Sequence, residues 1–375
     1  MNIIFKYIFF ILLPFVTMAQ KPFSVKIQFP KYIDVKNIKI GYENGQEQIG
    51  NESKFINNEV IISGIYYSKY VTLWIYDDVK DSFVNRNYYW IEGSSASISF
   101  IVTDSSQNIF KKSVLKNAHD LSIVGKIHDY YVNREYKEYK SFYEKYFSES
   151  FTGAYTDSLN SVFNKILMNL NNKDIEFVKE NGYHYYAFDY FRRNLAPQAQ
   201  INPDTLLSIF TKSFPNSYKE SFEGQELFKF LKGKTLKKDS QTPIIKIIDY
   251  FSKEELSFLK EKFTLLVFWA SWCKPCITEI PKIKELHKLY QTNNLKIIYV
   301  TLDEDSNKFL QAVKKYDLSW NHVYGDKNLI KSFGVLGIPQ VFLIDKTGKI
   351  AYSREEEKDF TSELPILEAI LKEKF

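Results

Sequence analysis

Phe268-Trp269-Ala270-Ser271-Trp272-Cys273-Lys274-Pro275-Cys276 is the stretch that decides the fold of this 375-residue chain. The unbroken apolar run at 264–269 predicts a buried strand, and the amphipathic stretch at 275–290 predicts a helix, so both cysteines fall where a strand ends and a helix begins. A helix N-terminus presents unpaired backbone N–H groups and the positive end of the macrodipole, and both favour a thiolate over a thiol. Cys273 is therefore expected to be unusually acidic, since helix-terminal Cys-X-X-Cys cysteines titrate at roughly 3.5 to 7 and free thiols near 8.5. Pro275 lies just inside the helix, where its missing N–H costs nothing, and Lys274 adds a nearby positive charge. Cys276, one turn in, is placed to be the buried resolving thiol.

Outward from that junction, strands and helices alternate. A strand is expected at 295–301, a helix at 306–316, strands at 340–344 and 349–352 around the Asp345-Lys346-Thr347-Gly348 turn, and a closing helix at 362–372. Residues 238–375 thus read as an α/β domain. Ahead of it, 20–112 reads as a small antiparallel β domain with strands at 23–29, 37–42, 59–63, 70–76 and 97–102 between Gly, Asn and Ser-rich turns. The texture changes near Ser113, and 113–237 reads as a helical region in which Val132, Tyr136, Tyr139, Tyr143 and Tyr146 share one face. That tyrosine stripe is read as packing between helices, with hydroxyls reaching water. Residues 21–237 carry no convergent catalytic set.

The net charge of +5 is a small excess over 50 basic and 45 acidic residues, not the concentrated patch of a polyanion binder, so nucleic acid is not an expected partner. Residues 1–19 are expected to be a signal peptide: Lys6 sits among apolar neighbours, the run continues through Val16, and small residues precede a cut after Ala19. The alternative is membrane association through an uncleaved N-terminus, although the run contains Pro14 and is shorter than the roughly 20 residues a spanning helix needs. No cysteine follows it, so a lipid-modified cysteine at that point is excluded. Exported chains usually pair their cysteines, yet this one has only two, three positions apart, so the fold is not held by a disulfide framework. A zinc site would want four ligands, and His119, His128, His184, His287 and His322 are scattered with no second cysteine pair. A purely structural disulfide over so short a loop constrains the unfolded chain little.

Trp-Cys-X-Pro-Cys after an apolar strand, with Gly337-Ile338-Pro339 just before the strand at Gln340, resembles the thioredoxin superfamily. The resemblance implies a central mixed sheet flanked by helices in 238–375. It also implies a cis peptide at Pro339 facing the cysteines, and a backbone at Ile338 free to pair with extended substrate. Trp272, Lys274, Pro275, Ile338 and Pro339 are accordingly the expected substrate-binding residues. The continuation Glu279-Ile280-Pro281 resembles the extracytoplasmic thiol:disulfide reductases of the cytochrome c maturation type. Cytosolic thioredoxins use an aspartate six residues before the first cysteine, where this chain has Val267, which leaves Glu279 as the candidate to exchange a proton with the pair. The domain order also resembles exported proteins of one Gram-negative group described as thioredoxin-like or AhpC/TSA-like, loosely over 21–237 and well over 238–375.

Together these imply an exported, periplasmic thiol:disulfide oxidoreductase acting as a reductase through Cys273, Cys276 and Glu279. Its redox-active disulfide would be its only cofactor, disulfide-containing exported proteins its substrates and a membrane thiol carrier its electron donor. Peroxide-reducing relatives carry Pro-X-X-X-Thr/Ser-X-X-Cys, whereas Leu266 and Ala270 stand seven and three residues before Cys273, so the peroxidase pattern is absent. The third alternative is a binding or scaffold protein in which the front half does the work.

Overall fold

The computed structural model describes residues 20–51, 54–78, 86–103, 108–147, 156–290, 295–354 and 363–373, so the expected export signal at 1–19 lies outside the described residues. The chain divides into two compact units. The first comprises the described residues up to Ser141, with Glu220–Glu223. Period-two alternation shapes it: in Lys21–Gln28 (β1), Phe23, Val25 and Ile27 are buried while Lys26 and Gln28 are exposed. Ile38–Glu43 (β2), Gln48–Asn51 (β3), Glu59–Tyr66 (β4), Val71–Asp77 (β5), Arg86–Ile91 (β6), Ala96–Phe100 (β7), Ser113–Lys116 (β8) and Ala118–Asp120 (β9) follow. They form two sheets, ordered β4-β1-β7-β8 and β3-β2-β5-β6-β9, whose inner residues share one apolar core. Every pair in these sheets is antiparallel except β1 with β7.

Two expectations are corrected here. The helical region is expected from 113, but β8 and β9 carry the sandwich on to Asp120; β8 is a four-residue edge strand with an apolar residue, Val114, on its exposed face, so its sequence does not alternate apolar with polar. Helices begin with Leu121–Val124 (α1) and Lys126–Tyr146 (α2). The buried face of α2 is His128, Val132, Glu135 and Phe142, with Tyr139 and Tyr146 half-buried, whereas Tyr136 and Tyr143 of the expected stripe are 52% and 49% exposed. The stripe still shares one face by the helical period, but Tyr136 and Tyr143 lie on the solvent-facing edge of that face and are not packed between helices.

The second unit contains Phe142–Lys219 and Gly224–Phe375. Its helices are Asp157–Asn181 (α3), Tyr185–Tyr190 (α4) followed by a π turn, Pro203–Ser213 (α5), Asn216–Lys219 (α6) and Phe222–Lys234 (α7). The α/β part then runs through a short hairpin, Ile247–Ile248 (β10) with Glu255–Leu256 (β11), into Phe263–Trp269 (β12), Lys274–Tyr290 (α8), Leu295–Thr301 (β13) and Ser306–Lys315 (α9). It closes with Asn321–Tyr324 (β14), Lys327–Ser332 (α10), Gln340–Asp345 (β15), Ile350–Ser353 (β16) and Glu363–Glu373 (α11). The sheet order is β14-β13-β12-β15-β16, with β12, β13 and β14 parallel, and β15 antiparallel to both β12 and β16.

Every residue of β12 is buried, which is why its sequence is a continuous apolar run and not an alternation. On one face Leu265, Val267 and Trp269 pack with Ile280, Ile283 and Leu286 of α8 and Leu367 and Leu371 of α11. On the other, Leu266 and Phe268 meet Leu329 and Phe333 at α10 and Ile247, Leu256 and Phe258 of the hairpin region. The helices of this unit are joined closely to the α/β part. A Cβ on Gly233 would come within 2.3 Å of the Gly334 nitrogen, and Glu226 of α7 pairs with Lys331 of α10 at 2.8 Å.

Edge strand β14 was not expected from its short polar sequence. It is capped by the hairpin: Asp249 Oδ1 accepts from the His322 N–H at 2.8 Å, and the Tyr250 N–H donates to the His322 carbonyl at 2.6 Å. The His322 ring is wholly buried, and burial pushes its pKa down to about 4, whereas an unfolded histidine titrates near 6.5. Between those values the unfolded chain binds a proton that the folded chain refuses, so stability falls as pH drops through that window, by on the order of 3 kcal/mol when complete. His322→Gln should flatten this part of the stability curve in urea unfolding from about pH 6.5 to about pH 4. A variant curve parallel to wild type would contradict the account.

Candidate active site

β12 delivers the chain to the end of the sheet, and α8 starts at Lys274, so Cys273 occupies the N-cap position. Its sulfur accepts a hydrogen bond from the Cys276 N–H at 3.2 Å, where a Ser or Asp oxygen would ordinarily cap a helix. The Cys273 N–H donates to the Ala270 carbonyl at 3.1 Å, and the Cys273 carbonyl accepts from Ile277 at 3.1 Å. The loop and the first helical turn are thus fixed from both sides. Cys273 and Cys276 are joined as a disulfide with Cα atoms 5.3 Å apart, and each is 4% exposed.

Trp272 stands 65% exposed, with Lys274 and Pro275 also exposed on the rim. The Ile338–Pro339 peptide is cis. Because Gln340 pairs with Phe268, the Pro339 end of β15 lies beside the end of β12 from which the cysteine loop departs. Ile338 is half-buried against the apolar cluster that contains both cysteines. The sheet register therefore brings the two sequence motifs, some sixty residues apart, to one edge of the fold.

Glu279 lies one turn beyond Cys276 on α8 and is buried. Its Oε2 accepts from Nη2 of Arg354 at 3.1 Å, and Nη1 of the same guanidinium donates to the Pro339 carbonyl at 2.7 Å. Tyr299 of β13 lies nearby; burial first, and then the Glu279 charge, push its pKa up, so its hydroxyl stays protonated. On the other flank, Asp303 is buried just past β13. Its carboxylate accepts from the Ser271 N–H at 2.9 Å, the Ser271 hydroxyl at 2.6 Å and the Thr301 hydroxyl at 2.6 Å. Together with the Leu302 N–H donating to the Trp269 carbonyl at 2.9 Å, this ties the Ser271-Trp272 approach to the end of β13.

Sequence reasoning did not reach Arg354 or Asp303. Asp303 left a weak signal, as a charged residue two positions past an apolar strand, at the end of a parallel sheet where α/β folds place their sites. Arg354 left none, because only the β15/β16 register brings it to Pro339.

A helix-capping disulfide beside a cis-proline loop, on this strand order, defines a thiol:disulfide oxidoreductase of the thioredoxin superfamily. Comparison with known proteins narrows the class. Residues 245–371 match the family model Redoxin. The thiol-disulfide oxidoreductase ResA of Bacillus thuringiensis subsp. konkukian is 37% identical over 124 residues, which are 32% of this chain and 71% of that one. The thioredoxin-like protein YneN of Bacillus subtilis is 35% identical over 101 residues, 26% of this chain and 59% of its own. A solved thioredoxin domain of a thiol-disulfide oxidoreductase from Bacteroides vulgatus is 24% identical over 36% of this chain and 98% of its own, with a TM-score of 0.33. The chain belongs, through its C-terminal part, to the ResA-like family of thiol-disulfide oxidoreductases.

Asp303→Ala would leave three donors without their acceptor in a buried setting, at about 1 to 3 kcal/mol for an unsatisfied group. The expected outcome is a lower denaturation midpoint together with slower dithiol exchange, with Asp303→Asn intermediate in both. Unchanged exchange in a measurably destabilised Asp303→Ala protein would separate this network from the site.

Proposed function

We propose that the chain is an exported reductase of protein disulfides that works through Cys273 and Cys276, with no cofactor beyond that redox-active pair. The observation that carries this reading is the Cys276 N–H bonded to the Cys273 sulfur at the head of α8. Once the disulfide is opened, the same donor and helix end stabilise negative charge on Cys273, which makes it the nucleophile.

The Cys273 thiolate attacks one sulfur of a substrate disulfide, forms a mixed disulfide and expels the other substrate sulfur as a thiolate. Cys276 then passes its proton to the Glu279 carboxylate and, as a thiolate, attacks the Cys273 sulfur, releasing the second substrate sulfur. Two electrons have moved from the pair to the substrate. One released thiolate takes the proton from Glu279 and the other takes one from water. The oxidised pair must be reduced again before another turnover, and we assign that step to a membrane-borne thiol donor.

Exposed Trp272, Lys274 and Pro275 are assigned to contact the substrate, and the Ile338–Pro339 backbone to pair with an extended stretch of it. Disulfide-containing exported proteins are the proposed substrate class and the periplasm the proposed compartment, on the strength of the expected signal at 1–19. The Lys274-Pro275 dipeptide and the resemblance of the Glu279-Ile280-Pro281 continuation to extracytoplasmic thiol:disulfide reductases favour the reducing direction.

Cys273→Ser should abolish reduction of a protein disulfide. Cys276→Ser should accumulate mixed disulfides with exported proteins that appear on non-reducing gels and vanish with dithiothreitol. A Cys276→Ser protein that traps no partner where wild type turns over would show the two roles to be wrongly assigned.

A further inference from the structure

Arg354 sits one residue past β16, the outer strand of the sheet. Its neighbour Ser353 pairs with Phe342, so the antiparallel register carries Arg354 back to the start of β15 and the cis-proline loop. The guanidinium is a planar fork, and here its two terminal nitrogens serve two different elements. Nη1 holds the Pro339 carbonyl at 2.7 Å, and Nη2 holds the Glu279 carboxylate of α8 at 3.1 Å. The side chains of Arg354 and Glu279 are 14% and 8% exposed, so the pair is largely shielded from water. A buried carboxylate survives in its ionised form only with such a partner, and removing one member of a buried pair leaves an uncompensated charge.

We propose that Arg354 is a positioning residue of the exchange reaction: one guanidinium fixes the cis-proline loop and holds Glu279 as an ionised, oriented proton acceptor for Cys276. This rests on the disulfide exchange and the role of Glu279 proposed above. The loop meant to hold the substrate and the group meant to take the proton then share a single support, so their geometry is set together. Neither motif of the sequence contains this residue. A lysine keeps the charge but lacks the fork, and cannot hold both acceptors in this arrangement.

Two steps separate the two contacts. Resolution of a mixed disulfide preformed between Cys273 and glutathione, followed by glutathione release, reads the proton transfer from Cys276. The KM for a peptide disulfide reads the loop. Arg354→Met is expected to slow resolution about tenfold, the size of losing one charge-assisted hydrogen bond. In a Glu279→Gln background, where the acceptor is already gone, the same change should leave resolution within about twofold, while the rise in KM persists in both backgrounds. Arg354→Lys should recover much of the resolution rate without recovering KM, and it serves as the comparison if Arg354→Met does not fold by circular dichroism. Equal slowing by Arg354→Met with and without Glu279, or wild-type resolution and KM in either Arg354 variant, would overturn the proposal. A wild-type protein that forms no mixed disulfide at all would instead refute the exchange reaction on which it rests.

Discussion

The structure depends on how one strand meets one helix. β12 is buried over its whole length and can end only where the sheet ends, so α8 has to begin there with its N-terminal N–H groups unpaired by the helix itself. Cys273 fills the cap, and its sulfur takes the Cys276 N–H. The cysteine that would carry negative charge in the reduced state is thereby the atom that satisfies a backbone donor in the oxidised one. The interaction is worth about 0.3 to 1 kcal/mol at an exposed helix end and up to about 2 kcal/mol where water is partly excluded, as it is around these two buried cysteines. It is modest against folding, but it acts directly on the balance between thiol and thiolate.

Three supports converge on that junction from different elements. Asp303 ties the approach loop to β13, the Phe268 to Gln340 pairing sets the proline loop beside it, and Arg354 joins that loop to the helix through Glu279. Asp303, Glu279 and Arg354 are charged and largely buried, an arrangement that costs desolvation and is kept only where each charge has hydrogen-bond partners. For stability alone, apolar residues of similar volume would serve as well. Their placement around the cysteine pair is what ties them to chemistry.

Legibility followed local signal. β12, α8, β13, α9, β15 and α11 were readable because a buried central strand is a continuous apolar run and its helices keep a strict 3.6 period. Cys273, Cys276 and the Gly337-Ile338-Pro339 segment were readable because their residue types and their places at element ends coincide. β14 and α10 were missed: the first is four residues with His322 turned inward, the second six residues between a turn and the proline loop. In the first unit, the second residue of β6 is a buried Asn87 whose amide is satisfied by Asp120 and the Tyr89 hydroxyl, a partnership no alternation rule anticipates. Asp303 depends on the register between β12 and β13, and Arg354 on the β15/β16 register together with the packing of α8 beside it, which the linear chain does not display.

The central claim is the proposal that Cys273 and Cys276 form a working reducing couple, and the reduction potential of the protein in graded glutathione or dithiothreitol buffers tests it most directly. The account predicts one reversible two-electron transition with a midpoint below about −220 mV. A midpoint near −120 mV would make the protein an oxidant, and the absence of any reversible transition would leave the pair a structural disulfide.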